Sequence, residues 1–175
     1  MGRQNRANGV KHSIEAALGR AAESLTPLSG GCVAEVYRAR LTDGRDLVVK
    51  VDPGPDAKLD REGFMLERLR DAGGRVPTVE HAEPGLLAME HIENDGRRSA
   101  EGEAELGRIV AGLHAHTADR YGLERDTLIG PLDQPNPWSD GWAAFYAEQR
   151  ITVTADLAEH AGALPESCRD RLRTL

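Results

Sequence analysis

Lys50 lies in the run Leu47-Val48-Val49-Lys50-Val51, whose apolar and β-branched residues read as a strand covered on both faces. An ammonium on such a strand needs a partner or a route to water, and an isolated strand-end lysine commonly takes the second course. A glutamate on the following helix changes that balance. Glu62 falls in a stretch of helical composition, Leu59 to Ala72, and shares a face with Leu66 and Leu69, which turns it toward the sheet that carries Lys50. Glu67 shares its face with Gly63, Arg70 and Asp71 and is the weaker choice of partner. A lysine held by a carboxylate is suited to positioning phosphate oxygens. Upstream, the small-residue turn Leu28-Ser29-Gly30-Gly31-Cys32-Val33-Ala34 could supply the second part of an anion site. Gly30 and Gly31 let backbone N–H groups approach an anion with no side chain in the way, although a glycine pair alone is more often an ordinary turn. Exposed N–H groups there would also favour a thiolate at Cys32, a redox candidate whose plain alternative is a small residue tolerated in a turn.

The elements that must hold these residues follow from punctuation and period. Ser13 caps an expected helix through Ile14, Leu18, Ala21, Ala22 and Leu25, stopped by Pro27. After the glycine turn, Tyr37, Ala39 and Leu41 alternate as in a strand, and Asp43-Gly44 suits a tight turn into the Lys50 strand. The helix carrying Glu62 closes on Gly73-Gly74, and a second strand pair, Val76 to Ala82 and Leu86 to Ile92, flanks Glu83-Pro84-Gly85. Polar residues from Glu93 to Ser99 read as a linker before a helix with Leu106, Ile109, Val110 and Leu113 on one face. A proline-rich loop, Gly130 to Pro137, precedes helical segments that contain Trp142, Phe145, Ile151 and Leu157.

Composition narrows the classes. The 175 residues are 39% hydrophobic and 29% charged, a globular mixture, and the net charge of -7 has the wrong sign for tracking a phosphate backbone. Nucleic-acid binding is therefore not expected. Two cysteines, Cys32 and Cys168, make no disulfide framework, and no apolar run is long enough to span a membrane, so the expected setting is cytoplasmic. No signal segment is read at the polar, basic start of the chain. His81-Ala82-Glu83 opens like a zinc-deaminase signature, but no Pro-Cys-x-x-Cys follows and no metal site is read. Trp138 and Trp142 could stack on a sugar, with core packing favoured. Cys168, on a stripe with Leu172 and Leu175, reads as a small core residue.

Glycine turn, hairpin, strand ending in lysine, helix with glutamate, two strands, linker and helices: that order resembles the small lobe of a protein-kinase-like fold. The expected fold class is α+β, with a small lobe of antiparallel sheet plus helix over residues 1–92 and an incomplete helical large lobe over 93–175. More specifically, Leu28-Ser29-Gly30-Gly31-Cys32, Val48-Val49-Lys50-Val51, Leu87-Ala88-Met89-Glu90-His91, Leu113-His114, Tyr121-Gly122 to Ile129-Gly130, and Asn136-Pro137-Trp138 with Trp142, Phe145, Glu148 and Arg150 resemble fructosamine kinases, also called ketosamine-3-kinases. The resemblance runs from about Ser13 to Ile151. It implies ATP-dependent phosphorylation of a sugar hydroxyl on a ketosamine, with a glycated amine or protein as substrate. By the same resemblance Gly30, Gly31 and Cys32 lie over the phosphates, Lys50 binds them, Glu62 holds Lys50, and Met89, Glu90 and His91 meet the adenine through the connecting backbone.

The departure from the family pattern is equally informative. Such kinases carry a catalytic aspartate in a His-Gly-Asp loop, with a later Asp-Pro that holds Mg2+. Here the residues two positions after each histidine are Ile14, Glu83, Glu93, His116, Ala118 and Gly162, and none is aspartate. The expectation is a chain that ends before the catalytic loop, with no catalytic base and no metal ligand of its own and little activity alone. Another small-molecule kinase, of aminoglycoside or choline type, and a non-catalytic nucleotide-binding or interaction module are the alternatives. An unfinished helical lobe would leave Leu157, Leu172 and Leu175 exposed, so self-association through that surface or through Cys32 is also expected.

Overall fold

A computed structural model describes residues 2–28 and 34–172. Gly30, Gly31, Cys32 and Leu175, with what was expected of each, lie outside the described residues. The chain divides into two compact units, Met1–His116 and Thr117–Leu175.

The first unit is built on a five-stranded antiparallel sheet in the order β1-β2-β3-β5-β4, from β1 (Ala22–Pro27), β2 (Glu35–Leu41), β3 (Asp46–Val51), β4 (Val79–Glu83) and β5 (Leu86–Glu90). The hairpin between β2 and β3 turns where the sequence places Asp43-Gly44. Gly44 takes φ +85° and the Arg45 N–H donates to Asp43 Oδ1 at 3.1 Å. That N–H, followed by the Arg45 and Arg20 guanidinium groups, holds the Asp43 carboxyl below the usual carboxylate range against a partial desolvation penalty. Both edge strands carry a register irregularity, at Ala22/Ser24 and at Val79/His81, a common way to blunt an exposed sheet edge.

Strand alternation sorts the sheet into two faces. Tyr37, Ala39 and Leu41 on β2, Leu47 and Val49 on β3, and Leu86 and Ala88 on β5 point one way, and Val10 and Ile14 of α1 (Gly2–Leu18) complete that core. This corrects the expected first helix. It starts at Gly2 and ends at Leu18, Ser13 sits inside it with its hydroxyl donating to Gly9 O, and Ala22 to Leu25 belong to a strand instead. Gly19, at φ +65° with its N–H on Glu15 O, terminates the helix, so the apparent period through Ala21, Ala22 and Leu25 crosses a real boundary.

The opposite face carries α2 (Leu59–Asp71). Its first N–H groups are anchored to the β4–β5 turn, since Leu59 N–H donates to Pro84 O at 3.0 Å, and Leu59 itself is buried. Helix α3 (Ala100–Ala115) is capped by Ser99, whose hydroxyl accepts from the Gly102 N–H at 3.1 Å. Helix α3 lies in the first unit, where it is tied back to the loop after α2. Arg75 pairs with Glu105 at 3.4 Å, and Leu113 stands beside Gly74.

The second unit opens on a short hairpin, β6 (Thr127–Ile129) and β7 (Leu132–Gln134), turned at Gly130 with φ +57°. The stretch read as a proline-rich loop is thus partly a strand. Helix α4 (Trp142–Tyr146) runs into a π-helical stretch, Ala147–Thr152, and on into α5 (Val153–His160), with α6 (Glu166–Leu172) after it. Cys168 is exposed, which corrects its reading as a core residue: a stripe at helical spacing shows which side of a helix is apolar, not that anything covers it. Leu157 is also exposed. Among the described residues no helix is long and apolar enough to cross a membrane.

Candidate functional site

On the face of the sheet that carries α2, antiparallel pairing sets Lys50 opposite Val36 on β2 and opposite Leu87 on β5. Lys50 Nζ donates to Glu62 Oε1 and Oε2, both at 2.7 Å. The side chains are 22% and 34% exposed, so the pair is screened from bulk water but still reachable by a ligand. Glu67 is exposed on the far side of α2. The structure therefore brings together the two residues singled out from spacing.

The face that α2 turns to the sheet differs from the expected one in one respect. Leu69, expected on the sheet-facing side with Glu62, is 42% exposed, whereas Gly63, expected on the outer face with Glu67, is buried against the sheet. Neighbouring helical positions differ by about 100°, so Glu62 can flank the contact that Gly63 makes. A glycine inside a helical run is the signal that could have marked this close approach.

Along the same sheet face, Val48 and Met89 stand opposite one another next to Lys50, with Val36 beside them. The strip thus runs from a cation to an apolar platform. Glu90 ends β5 with its carboxylate turned to the segment before β4, accepting from the Thr78 N–H at 3.1 Å while its own N–H donates to Thr78 O at 2.8 Å. His91 is half-buried at the beginning of the linker and lines an open polar recess of about 490 Å³ with Arg38, Glu93, Asn94 and Asp95.

Arg38 joins this recess to the sheet. Its Nη2 is 2.5 Å from Asp46 Oδ2 and 3.7 Å from Glu93 Oε1. The hydrogen bond to Asp46 raises the Arg38 pKa above its ordinary value, and the same bond, with the Arg40 and His91 charges behind it, holds the Asp46 carboxyl below its ordinary range despite some desolvation. A carboxyl whose folded pKa is depressed stabilises the fold above its unfolded pKa of about 3.9, and that stabilisation disappears as pH falls through the folded pKa. Asp46→Asn is therefore expected to flatten the acid limb of the stability curve below about pH 4 and to leave the limb above pH 6 parallel to the parent's. Urea midpoints measured across that range check this, and an unchanged acid limb would show that Asp46 is not the responsible group.

The second unit has its own dense site. Asn136 is 3% exposed, its Nδ2 donates to Arg125 O at 3.1 Å and Thr127 Oγ1 at 2.9 Å, and its Oδ1 accepts from Arg150 Nη2. Arg150 Nη1 donates to Pro135 O at 2.7 Å and to Gln149 O at 3.0 Å, and the guanidinium lies 4.7 Å from the centre of the Phe145 ring. Burial pulls the Arg150 pKa below its ordinary value. Gly122, at φ +124°, passes so close to the chain after Asn136 that a Cβ there would sit 2.7 Å from Pro137 O. Trp142 stacks obliquely with Tyr121 and Tyr146, at 5.5 and 5.3 Å between ring centres. Trp138 and Trp142 remain 46% and 53% exposed, so neither is the core residue expected from its position between apolar helices.

Among the described residues no group of three or more His, Cys, Asp or Glu is placed to hold a metal ion. The described residues of this sheet face that could hold a nucleotide are Lys50, for its phosphates, and Val36, Val48 and Met89, for its base.

Comparison with known proteins gives this arrangement a family. The profile described as fructosamine kinase matches residues 7–172. The Synechocystis protein named "Probable ketoamine kinase slr1563" is 32% identical over 148 residues, which are 79% of this chain and 49% of that protein. The Arabidopsis thaliana "Protein-ribulosamine 3-kinase, chloroplastic" is 34% identical over 143 residues, 75% of this chain and 42% of that protein. A crystal structure of a "putative fructosamine-3-kinase" from Thermobifida fusca superimposes with a TM-score of 0.79 at 30% identity, covering 91% of this chain and 57% of that one. This chain thus spans about half the length of the curated relatives it matches. With a profile that matches nearly its whole length and an α+β, kinase-like fold, the chain belongs to the fructosamine kinase family.

Proposed function

We propose that this chain is the nucleotide-binding part of an ATP-dependent ketosamine kinase, one that transfers the γ-phosphoryl group to a sugar hydroxyl of a glycated amine or protein. The observation that carries the reading is the Lys50–Glu62 pair, with both carboxylate oxygens at 2.7 Å, on the same sheet face as Val36, Val48 and Met89. Lys50 holds the phosphates and Glu62 fixes Lys50, so that the ammonium is aimed before the nucleotide arrives. Val36, Val48 and Met89 offer the base an apolar surface, and the backbone of Glu90 and His91 meets its polar edge. Gly30, Gly31 and Cys32 complete the phosphate site by resemblance. The lobe that performs this is residues 1–92, and α3 and the second unit belong to the helical lobe. Mg2+ would neutralise the charge on the phosphates.

A second reading, a nucleotide-binding module that transfers no phosphoryl group, is favoured by the sequence itself, which has no His-Gly-Asp triplet and so no carboxylate in the expected position to accept the substrate hydroxyl's proton. The two readings meet in one expected outcome: the 175-residue chain binds ATP and transfers no phosphoryl group to a fructosamine or ribulosamine. Calorimetric titration with Mg-ATP measures the first, and a coupled assay of ATP consumption the second. Absence of binding removes the nucleotide reading. Turnover on either sugar adduct removes the assignment of the base to a motif this sequence lacks.

A further inference from the structure

Helix α2 crosses the sheet at Gly63, one residue after the glutamate that holds Lys50. A Cβ built on Gly63 would lie 2.5 Å from Ala82 Cβ and 3.3 Å from Leu87 Cδ1, with Val79 Cγ1 at 3.8 Å. Carbon atoms pack best at roughly 3.5–4.0 Å, so any side chain here pushes the helix away from β4 and β5. The atom met first is a methyl on a strand backbone, which cannot swing aside as the end of a long side chain can. Leu87, the second atom in the way, is fully buried and sits opposite Lys50 across the ladder. The contact that sets the height of α2 therefore adjoins the Lys50–Glu62 pair on both sides: Gly63 beside Glu62 in the helix, and Leu87 beside Lys50 in the sheet.

Glycine is a poor choice for a helix interior, because it loses the most backbone freedom on ordering. On propensity alone alanine would be preferred at this position. What the missing Cβ gains is proximity, and two hydrogen bonds of 2.7 Å depend on that proximity. We infer that Gly63 is a positioning residue: by letting α2 lie directly on Ala82 and Leu87, it places the Glu62 carboxylate on Lys50 and so aims the ammonium at its ligand. The consequence for nucleotide rests on the function proposed above; the consequence for the ion pair does not.

The test separates those two. A zero-length carbodiimide cross-link joins a carboxylate to an amine in contact with it, forming an amide with loss of water, and peptide mass spectrometry reads the Lys50–Glu62 product without any nucleotide. Gly63→Ala is expected to reduce that product at least threefold and to weaken Mg-ATP binding about tenfold. Ala82→Gly in the same chain removes the opposing methyl and should restore both. In a Glu62→Ala chain, adding Gly63→Ala should cost no further affinity, whereas a residue that only supports the fold would cost the same in either background. Should Gly63→Ala fail to fold, Ala82→Val crowds the same contact from the sheet side, leaves α2 unaltered, and should lower the cross-link yield likewise. An unchanged cross-link in Gly63→Ala, or a loss that Ala82→Gly does not repair, overturns the inference. A cross-link that falls while Mg-ATP binding stays as in the parent supports the positioning role and overturns the nucleotide reading of the pair.

Discussion

Lys50→Met lowers the affinity of the chain for Mg-ATP by on the order of 10–100-fold. A hydrogen bond from an ammonium to an anion contributes roughly 1.5–3 kcal/mol, and about 1.4 kcal/mol is a factor of ten in Kd. Methionine keeps an unbranched, apolar stem of similar length, so contacts beside Val36 and Leu87 are largely retained and the loss is one of charge. The loss is compounded because Glu62, which faces Lys50 through both oxygens, is left as an unneutralised carboxylate next to the incoming phosphates. Glu62→Gln should do less, about tenfold, since the amide oxygen still accepts one bond from Lys50 and brings no negative charge near the ligand. Glu67→Ala, on the exposed side of α2, should bind as the parent does. Calorimetry on the three variants gives the order directly. If Lys50→Met binds Mg-ATP as tightly as the parent, the nucleotide is not held by this lysine, and the site lies elsewhere on the chain.

The parts of this site that could be read from sequence are those encoded locally. Asp43-Gly44 announces the turn between β2 and β3, the β-branched run announces β3, and Gly73-Gly74 ends α2, because each signal acts within a few residues of where it is written. The Lys50–Glu62 pair was legible because a strand position and a helix face suffice to aim the two side chains at one another. The first helix was not. Among the described side chains of this otherwise polar segment, which includes Gly9, Val10 and Ile14 are the buried ones and give too faint a stripe, while Ala21 and the edge-strand residues Ala22 and Leu25 imitate a helical period.

Other features depend on register or on distance in the fold. Arg38 meets Asp46 only when the two strands are aligned so that Arg38 pairs with Val48 and Arg40 with Asp46, a choice made by the whole sheet. Gly63 was placed on the wrong side of α2 because a helical wheel marks an apolar face by side chains, and the residue nearest the sheet has none. Trp138 and Trp142 sit among apolar helices and yet stay half exposed, since periodicity says nothing of how much of a ring its neighbours cover. Asn136 draws on partners at residues 125, 127 and 150, a convergence that no local pattern displays.

That convergence predicts the largest single effect on stability in the second unit. Asn136→Ala deletes two donated bonds and one accepted bond at a position only 3% exposed, and leaves the Arg125 carbonyl, the Thr127 hydroxyl and one edge of the Arg150 guanidinium to find other partners. A buried polar group stripped of its partner costs roughly 1–3 kcal/mol, more where it is charged, so the sum is about 3–5 kcal/mol. A unit of this size has a margin of comparable magnitude, and a loss of each 1 kcal/mol lowers its melting temperature by roughly 4–8 °C. Asn136→Asp should be milder above the carboxyl's pKa, because it returns a full charge pair to Arg150 and can accept from Thr127, while losing the donation to Arg125 O. The chain contains two tryptophans, Trp138 and Trp142, both in the second unit, so their emission reports on that unit. Asn136→Ala should lower the emission-monitored midpoint by on the order of 10–40 °C, with Asn136→Asp in between and Mg-ATP binding by the first unit retained. A midpoint within a degree or two of the parent's would mean that the Asn136–Arg150 network decorates this unit and does not hold it together.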